Sequence, residues 1–291
     1  MRNFFGFCAI LLVSFTACNQ QTDKKEEPVQ AVQKEDFVQT IKKKNTRGIN
    51  IDSILALPDT LEWGHIHVPA KADGLFEDFL FNFVRNSRFQ EERINFPLPV
   101  QKAGKISHIE RKDWDFDRLE VLQEVNTNIF DEEKDFNYSQ DSTINEVKVE
   151  FIYFNCDSVK QYVFKRLDNR WKLTKINWEA FKHHANGEFY AFYEQFANDF
   201  VFQRKRVRNP FEFKTYDEFN DEEIFGEVEA DAWCDYCPEL PTDILTNINY
   251  GQCRHDSRKR YVVIISPSAG MASTLKFQMI KWQWKLVGLE N

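Results

Sequence analysis

The sequence predicts an α+β fold of two tandem units, each an N-terminal helix packed on an antiparallel sheet. Three observations predict it. Phe76–Pro97 (FEDFLFNFVRNSRFQEERINFP) recurs without a gap at Phe189–Pro210 (FYAFYEQFANDFVFQRKRVRNP), a shift of 113 residues. Phe76, Phe79, Phe83, Phe89, Gln90, Arg93 and Pro97 fall on Phe189, Phe192, Phe196, Phe202, Gln203, Arg206 and Pro210. The same shift carries Phe164 onto Phe277 and Trp171-Lys172-Leu173 onto Trp284-Lys285-Leu286, so one offset holds at both ends of a unit, as an internal duplication requires. Third, each unit opens with helical periodicity and closes on alternating, strand-like runs.

Met1–Ala17 reads as an export segment: Arg2 supplies charge, Phe4 to Phe15 is mostly apolar, and small residues precede Cys18. The run is too short to span a bilayer as a mature helix. Phe15-Thr16-Ala17-Cys18 resembles the lipobox of bacterial lipoproteins, with Phe15 where that pattern usually has Leu. The resemblance implies cleavage before Cys18 and lipidation of its thiol. Residues 18–50 then form a flexible tether rich in Gln, Lys and Glu, with too few large apolar groups to fold alone. About 30 such residues reach on the order of 30 Å.

The first unit is expected over 51–182 and the second over 183–291. Leu61–Val68 alternates around His65 and His67, an extended entry with no third ligand for a metal. Phe76, Phe79, Leu80, Phe83 and Val84 then take helical i, i+3, i+4, i+7 spacing after Asp73-Gly74. Phe189, Phe192, Tyr193, Phe196 and Phe200 repeat it after Asn186-Gly187. The FQ-x-x-R-[IV] segment that follows is expected to turn into a strand. Asn145–Asn155, Val159–Leu167 and Arg170–Trp178 read as consecutive strands, with Asp157-Ser158 and Asp168-Asn169 as turns. Arg260–Ser266, Thr274–Lys281 and Trp282–Leu289 close the second unit in the same way.

A unit of this length, with an N-terminal helix and a closing antiparallel meander, resembles the nuclear-transport-factor-2-like fold, the cone fold of ketosteroid isomerases. The FxxFxxxF…FQxxR[IV]xxP motif on a lipoprotein signal resembles the exported-lipoprotein domain-of-unknown-function family 4348, over about residues 60–291. That resemblance implies a curved sheet whose concave face is covered by helices and often holds a pocket. It brings no catalytic residues with it.

The composition limits function. The charge of −8, from 46 acidic and 38 basic residues, argues against a general nucleic-acid binder. The 28 Phe, 7 Trp and 9 Tyr can fill cores or line an apolar cavity, with core filling the commoner use. No GxSxG, HExxH, GxGxxG or phosphate-cradling glycine loop occurs, so no catalytic residue, metal or cofactor is assigned. Gln90, Arg93, Gln203 and Arg206 are the repeated polar positions; a structural pairing is favoured over a role inside the cone. Cys234-x-x-Cys237 with Cys253 and His255 admits a disulfide, a zinc site or a redox dithiol. The exported compartment favours a disulfide of Cys253 with Cys234 or Cys237. Asp217–Asp231 carries eight acidic residues and no basic one, expected as a solvated loop beside Arg204, Lys205, Arg206 and Arg208. Tyr153, Tyr162 and Asp113 are the residue types an isomerase cone would use.

The expected protein is therefore a lipid-anchored, non-enzymatic module that holds a small apolar ligand or an envelope protein. The residues after Cys18 lack an acidic cluster, which favours the outer membrane facing the periplasm. The alternative is an isomerase- or hydrolase-type enzyme working in one cone only.

Overall fold

The computed structural model describes residues 73–119, 125–217, 220–254, 256–266 and 271–291. The export segment, Cys18, the tether, His65, His67 and His255 lie outside them. No described helix is long and apolar enough to cross a membrane.

The chain forms a mixed α/β structure with two six-stranded sheets. Helix α1 (Phe76–Phe83) buries Phe76, Phe79, Leu80 and Phe83 along one face. Helix α2 (Ser87–Glu92) follows, where a turn into a strand was expected. The Asn86 side chain decides this: it accepts from the Phe89 N–H at 2.9 Å and caps a new helix. Strands β1 (Leu98–Lys102) and β2 (Lys105–Ile109) form a hairpin through Ala103 and Gly104, both at positive φ, the geometry of a type I′ loop. Strand β3 (Asn126–Phe130) precedes the meander β4 (Glu146–Tyr153), β5 (Ser158–Leu167) and β6 (Arg170–Ala180). Asp168 and Asn169 turn β5 into β6 in the left-handed region, as their residue types predict.

The C-terminal half repeats this order. Helix α3 (Gly187–Asn198) leads to α4 (Phe200–Arg206), capped by the Asp199 side chain on the Phe202 N–H at 3.0 Å. Gly187 is obligatory, because a Cβ there would lie 1.8 Å from the Phe181 carbonyl oxygen. Strands β7 (Val207–Asp217) and β8 (Glu222–Val228), the single-turn helix α5 (Trp233–Tyr236), β9 (Ile244–Asn249), β10 (Lys259–Ser266), β11 (Met271–Ile280) and β12 (Gln283–Glu290) complete the chain. The acidic run expected as a loop is therefore largely strand β8, paired along β7 from Glu222 to Val228.

The strand orders are β2-β1-β6-β5-β4-β9 and β8-β7-β12-β11-β10-β3. Each sheet takes its last strand from the other half of the chain. The sheets are not purely antiparallel, because β1 runs parallel to β6 and β7 parallel to β12. Register shifts at Val163/Phe164 and Lys276/Phe277 fall at matching places and bend the strands.

The cores match contact for contact. Phe76 meets Phe164 edge-on at 5.3 Å and Trp171 at 5.1 Å; Phe189 meets Phe277 at 5.6 Å and Trp284 at 5.1 Å. Phe83–Phe164 and Phe196–Phe277 are both T-shaped at 5.2 Å. Each such pair adds about 0.5–1.5 kcal/mol beyond area burial. The aromatic stripe thus lies on its sheet as the sequence periodicity requires.

Candidate functional site

Gln90, Arg93 and Gln203 bond to groups of the chain itself, whereas Arg206 Nη1 is buried without a hydrogen-bond partner. Gln90 is fully buried and uses its whole hydrogen-bonding capacity. Its Nε2 donates to the carbonyls of Phe83 (3.0 Å) and Asp117 (2.6 Å), and its Oε1 accepts from Trp114 Nε1 (3.0 Å) and Asp117 N–H (2.9 Å). Gln203 Nε2 donates to the Phe196 carbonyl at 3.0 Å, the same helix-to-helix bond. Arg93 stacks on Phe89 at 4.7 Å and grips Asp73 with both Nη atoms, at 2.7 and 2.8 Å. Burial pushes the Asp73 carboxyl up, but Arg93 and the Trp171 N–H outweigh it and hold it below its ordinary range. Arg206 stacks on Phe202 at 4.8 Å. Asn186 stands where the first copy has Asp73, and its Oδ1 accepts from Arg260 Nη2 at 2.6 Å instead.

The strongest polar constellation lies where the halves exchange strands. Thr127 on β3 donates through its N–H to Thr246 Oγ1 and through its Oγ1 to the Thr246 carbonyl, both at 2.7 Å. Thr246 on β9 returns both bonds at 2.9 Å. Asn247 Oδ1 accepts from Ile129 N–H at 2.9 Å, and Asn128 Oδ1 accepts from Ile248 N–H at 3.1 Å. These reciprocal bonds describe a local twofold relation between Thr127-Asn128-Ile129 and Thr246-Asn247-Ile248. The repeated TNI was readable in the sequence, but it lies at a shift of 119 residues rather than 113.

Behind this seam Glu150 is wholly buried. Its carboxylate accepts from Gln161 Nε2 and Asn247 Nδ2, each at 2.8 Å, with His184 Nε2 at 3.8 Å. Burial alone would push the carboxyl up; His184, Asn247 and Gln161 more than offset it and hold it low. His184 Nδ1 accepts from Asn186 N–H at 3.1 Å, so both ring nitrogens face partners inside the protein. Nearby, Asp131 at the end of β3 pairs with Arg260 Nη1 at 2.8 Å, both groups buried. Both Glu150 oxygens are engaged, whereas Asp131 accepts from the Arg254 N–H through Oδ2 and its buried Oδ1 has the Arg260 ion pair but no hydrogen bond.

Two clefts open to solvent flank the seam. One, of about 690 Å³, is lined by Cys156, Phe181, Lys182, His184 and Glu188 among others. The other, of about 730 Å³, is lined by Glu132, Lys134, Arg254, Arg258 and Lys259, with Glu132 bonded to Arg254 and Lys134. The first reaches the edge of one aromatic core through Phe181, which packs on Phe154 and Tyr190.

The family described as domain of unknown function DUF4348 matches over residues 62–291. The chain belongs to that family. This DUF4348 chain is also similar to a crystallised NTF2-like protein from Bacteroides fragilis NCTC 9343, at 33% identity and a TM-score of 0.69, covering 76% of this chain and 97% of that one. Among curated proteins none matches.

Cys156, Cys234, Cys237 and Cys253 stand as free thiols in the structure, with no bond between Cys253 and Cys234 or Cys237. Cys253 points its thiol at the Ile129 carbonyl (3.2 Å) beside the seam, whereas Cys237 donates to Pro238 O at 3.2 Å and Cys234 is exposed. Burial, then the charges of Glu150 and Asp131, push the Cys253 thiol far up, and burial pushes Cys237 up to about 12. No three ligand-type residues converge among the described residues. Asp113 lies exposed on a 3-10 turn, Tyr153 stacks on Trp178 at 5.7 Å and Tyr162 bonds to Asp117, so Asp113 stands apart, while the two tyrosines share Lys160, which lies over the Tyr162 and Trp178 rings at 4.5 and 5.6 Å.

Proposed function

We propose that this DUF4348 chain is a non-enzymatic interaction scaffold of the cell envelope, built from two tandem cone-fold units and anchored through lipidated Cys18. In this reading the tether, residues 18–50, holds the body off the outer membrane on its periplasmic side, and the partner is an envelope protein. One observation carries the choice of protein over small ligand. Phe79, Phe83, Phe164 and Trp171 fill the space under the first helix pair, and Phe192, Phe196, Phe277 and Trp284 fill it under the second. A cone that binds an apolar ligand needs that space open. The engaged nitrogens of His184 likewise speak against the enzyme reading.

The test has two arms. In a thermal-shift screen against fatty acids, sterols and small aromatics, no compound should raise Tm; a saturable rise would restore the pocket. In cell fractionation, Cys18→Ser should move the chain out of the membrane fraction; unchanged retention would remove the anchor.

A further inference from the structure

Of the four sheet edges, two are covered from within. Strands β3 and β9 end their sheets and are bonded to one another through Thr127, Thr246, Asn128 and Asn247. The other two ends, β2 and β8, have no strand beside them among the described residues. They occupy equivalent places in the two halves, yet their chemistry is opposite. Strand β2 (KISHI) carries Lys105 and His108, no acid, and an Ile106 that is 63% exposed. Strand β8 (EEIFGEV) carries Glu222, Glu223 and Glu227, no base, with Ile224 47% and Phe225 67% exposed.

We propose that β8 of one chain pairs with β2 of a second copy, joining chains head to tail. The two-residue loop makes Lys102 and Lys105 the hydrogen-bonded closing pair of the β1–β2 hairpin. Bonding alternates from there, so Ile106 and His108 direct their N–H and C=O groups outward. Pro99, which has no N–H to give, stands opposite His108 and fits this parity. A strand added at this edge meets free donors and acceptors and an exposed isoleucine. Charge on an edge strand ordinarily discourages pairing with a copy of itself. Here it discourages β2 with β2 and β8 with β8, but favours the unlike pair. Phe225 and Ile106 are the apolar groups such a contact would cover. Because the two surfaces differ, the contact is heterologous and builds an open row or a closed ring of copies, not a twofold dimer.

This inference rests on the scaffold reading and names its partner. It is tested by light scattering on the full chain bearing Cys18→Ser, which keeps acyl groups out of the measurement. The unmodified edges should give a mass that rises with concentration and falls back in high salt. Ile106→Pro removes an outward donor from β2, and His108→Pro does so independently should the first misfold by circular dichroism. Phe225→Lys with Glu227→Lys removes the exposed phenylalanine and takes the β8 strand from three negative charges to a net charge of zero. Each blocked variant alone should stay monomeric, and a mixture of a β2-blocked with the β8-blocked chain should give a one-to-one dimer and nothing longer. A chain monomeric at every concentration, or a blocked variant that associates by itself, would overturn the proposal. Either result leaves the thermal-shift and fractionation outcomes, and so the scaffold reading, standing.

Discussion

Glu77 shows how a single residue records the junction between the halves. It sits in the first turn of α1 and accepts from the Tyr250 hydroxyl, 173 residues away, at 3.5 Å. Burial raises its carboxyl pKa above the ordinary value; the Tyr250 bond opposes this and the neighbouring Asp78 adds to it. A raised folded-state pKa means that stability is fully present below the unfolded pKa, near 4.5, and is lost as pH rises through the folded value. Glu77→Gln keeps the acceptor and removes the ionisation, so its Tm should exceed that of the parent at pH 7 and match it below pH ~4. An equal gain at both pH values would contradict this origin. Gln90 and Arg93 were legible as important because they recur. A structural pairing was the expected role, but the partners Trp114 and Asp117 were not legible, since those stretches carry no repeat signal of their own.

At the level of elements, the meander strands could be read closely because short polar turns bound them: Asp157, Asp168 and Asn169 all take left-handed backbone. Helices α2 and α4 were missed, although Asn86 and Asp199 stand three residues before Phe89 and Phe202, the spacing of an N-cap. Strands β3 and β9 were missed for a different reason. Each is five or six residues long and takes its partners from the other half, so nothing local distinguishes it from a loop. The reciprocal Thr127–Thr246 bonds should make these strands interdependent. Replacing either threonine by Val should cost about 1–3 kcal/mol, by losing the hydroxyl bonds and stranding the partner's groups. The double variant should cost clearly less than the sum of the singles. Additive losses in denaturant unfolding would mean that the seam is not a shared element.

Across the whole molecule, the repeated pattern was legible and the crossing of β3 and β9 into the other half's sheet was not. A constant offset over 76–97 and 164–173 reveals two copies of one pattern, but says nothing about which copy donates which strand. In the structure β9 lies on β4 and β3 lies on β10, and Asp131 of the first half is the counter-ion of Arg260 in the second. Two halves joined in this way have no cheap route to separate opening, because each would lose a sheet edge and leave a buried charge unpaired. Native-state hydrogen exchange in increasing denaturant, read by mass spectrometry on peptides from β5 and β11, tests this most directly. The interlocked architecture predicts that both central strands become exchangeable through one global opening with the same denaturant dependence. Two separate openings, one for each half, would contradict it.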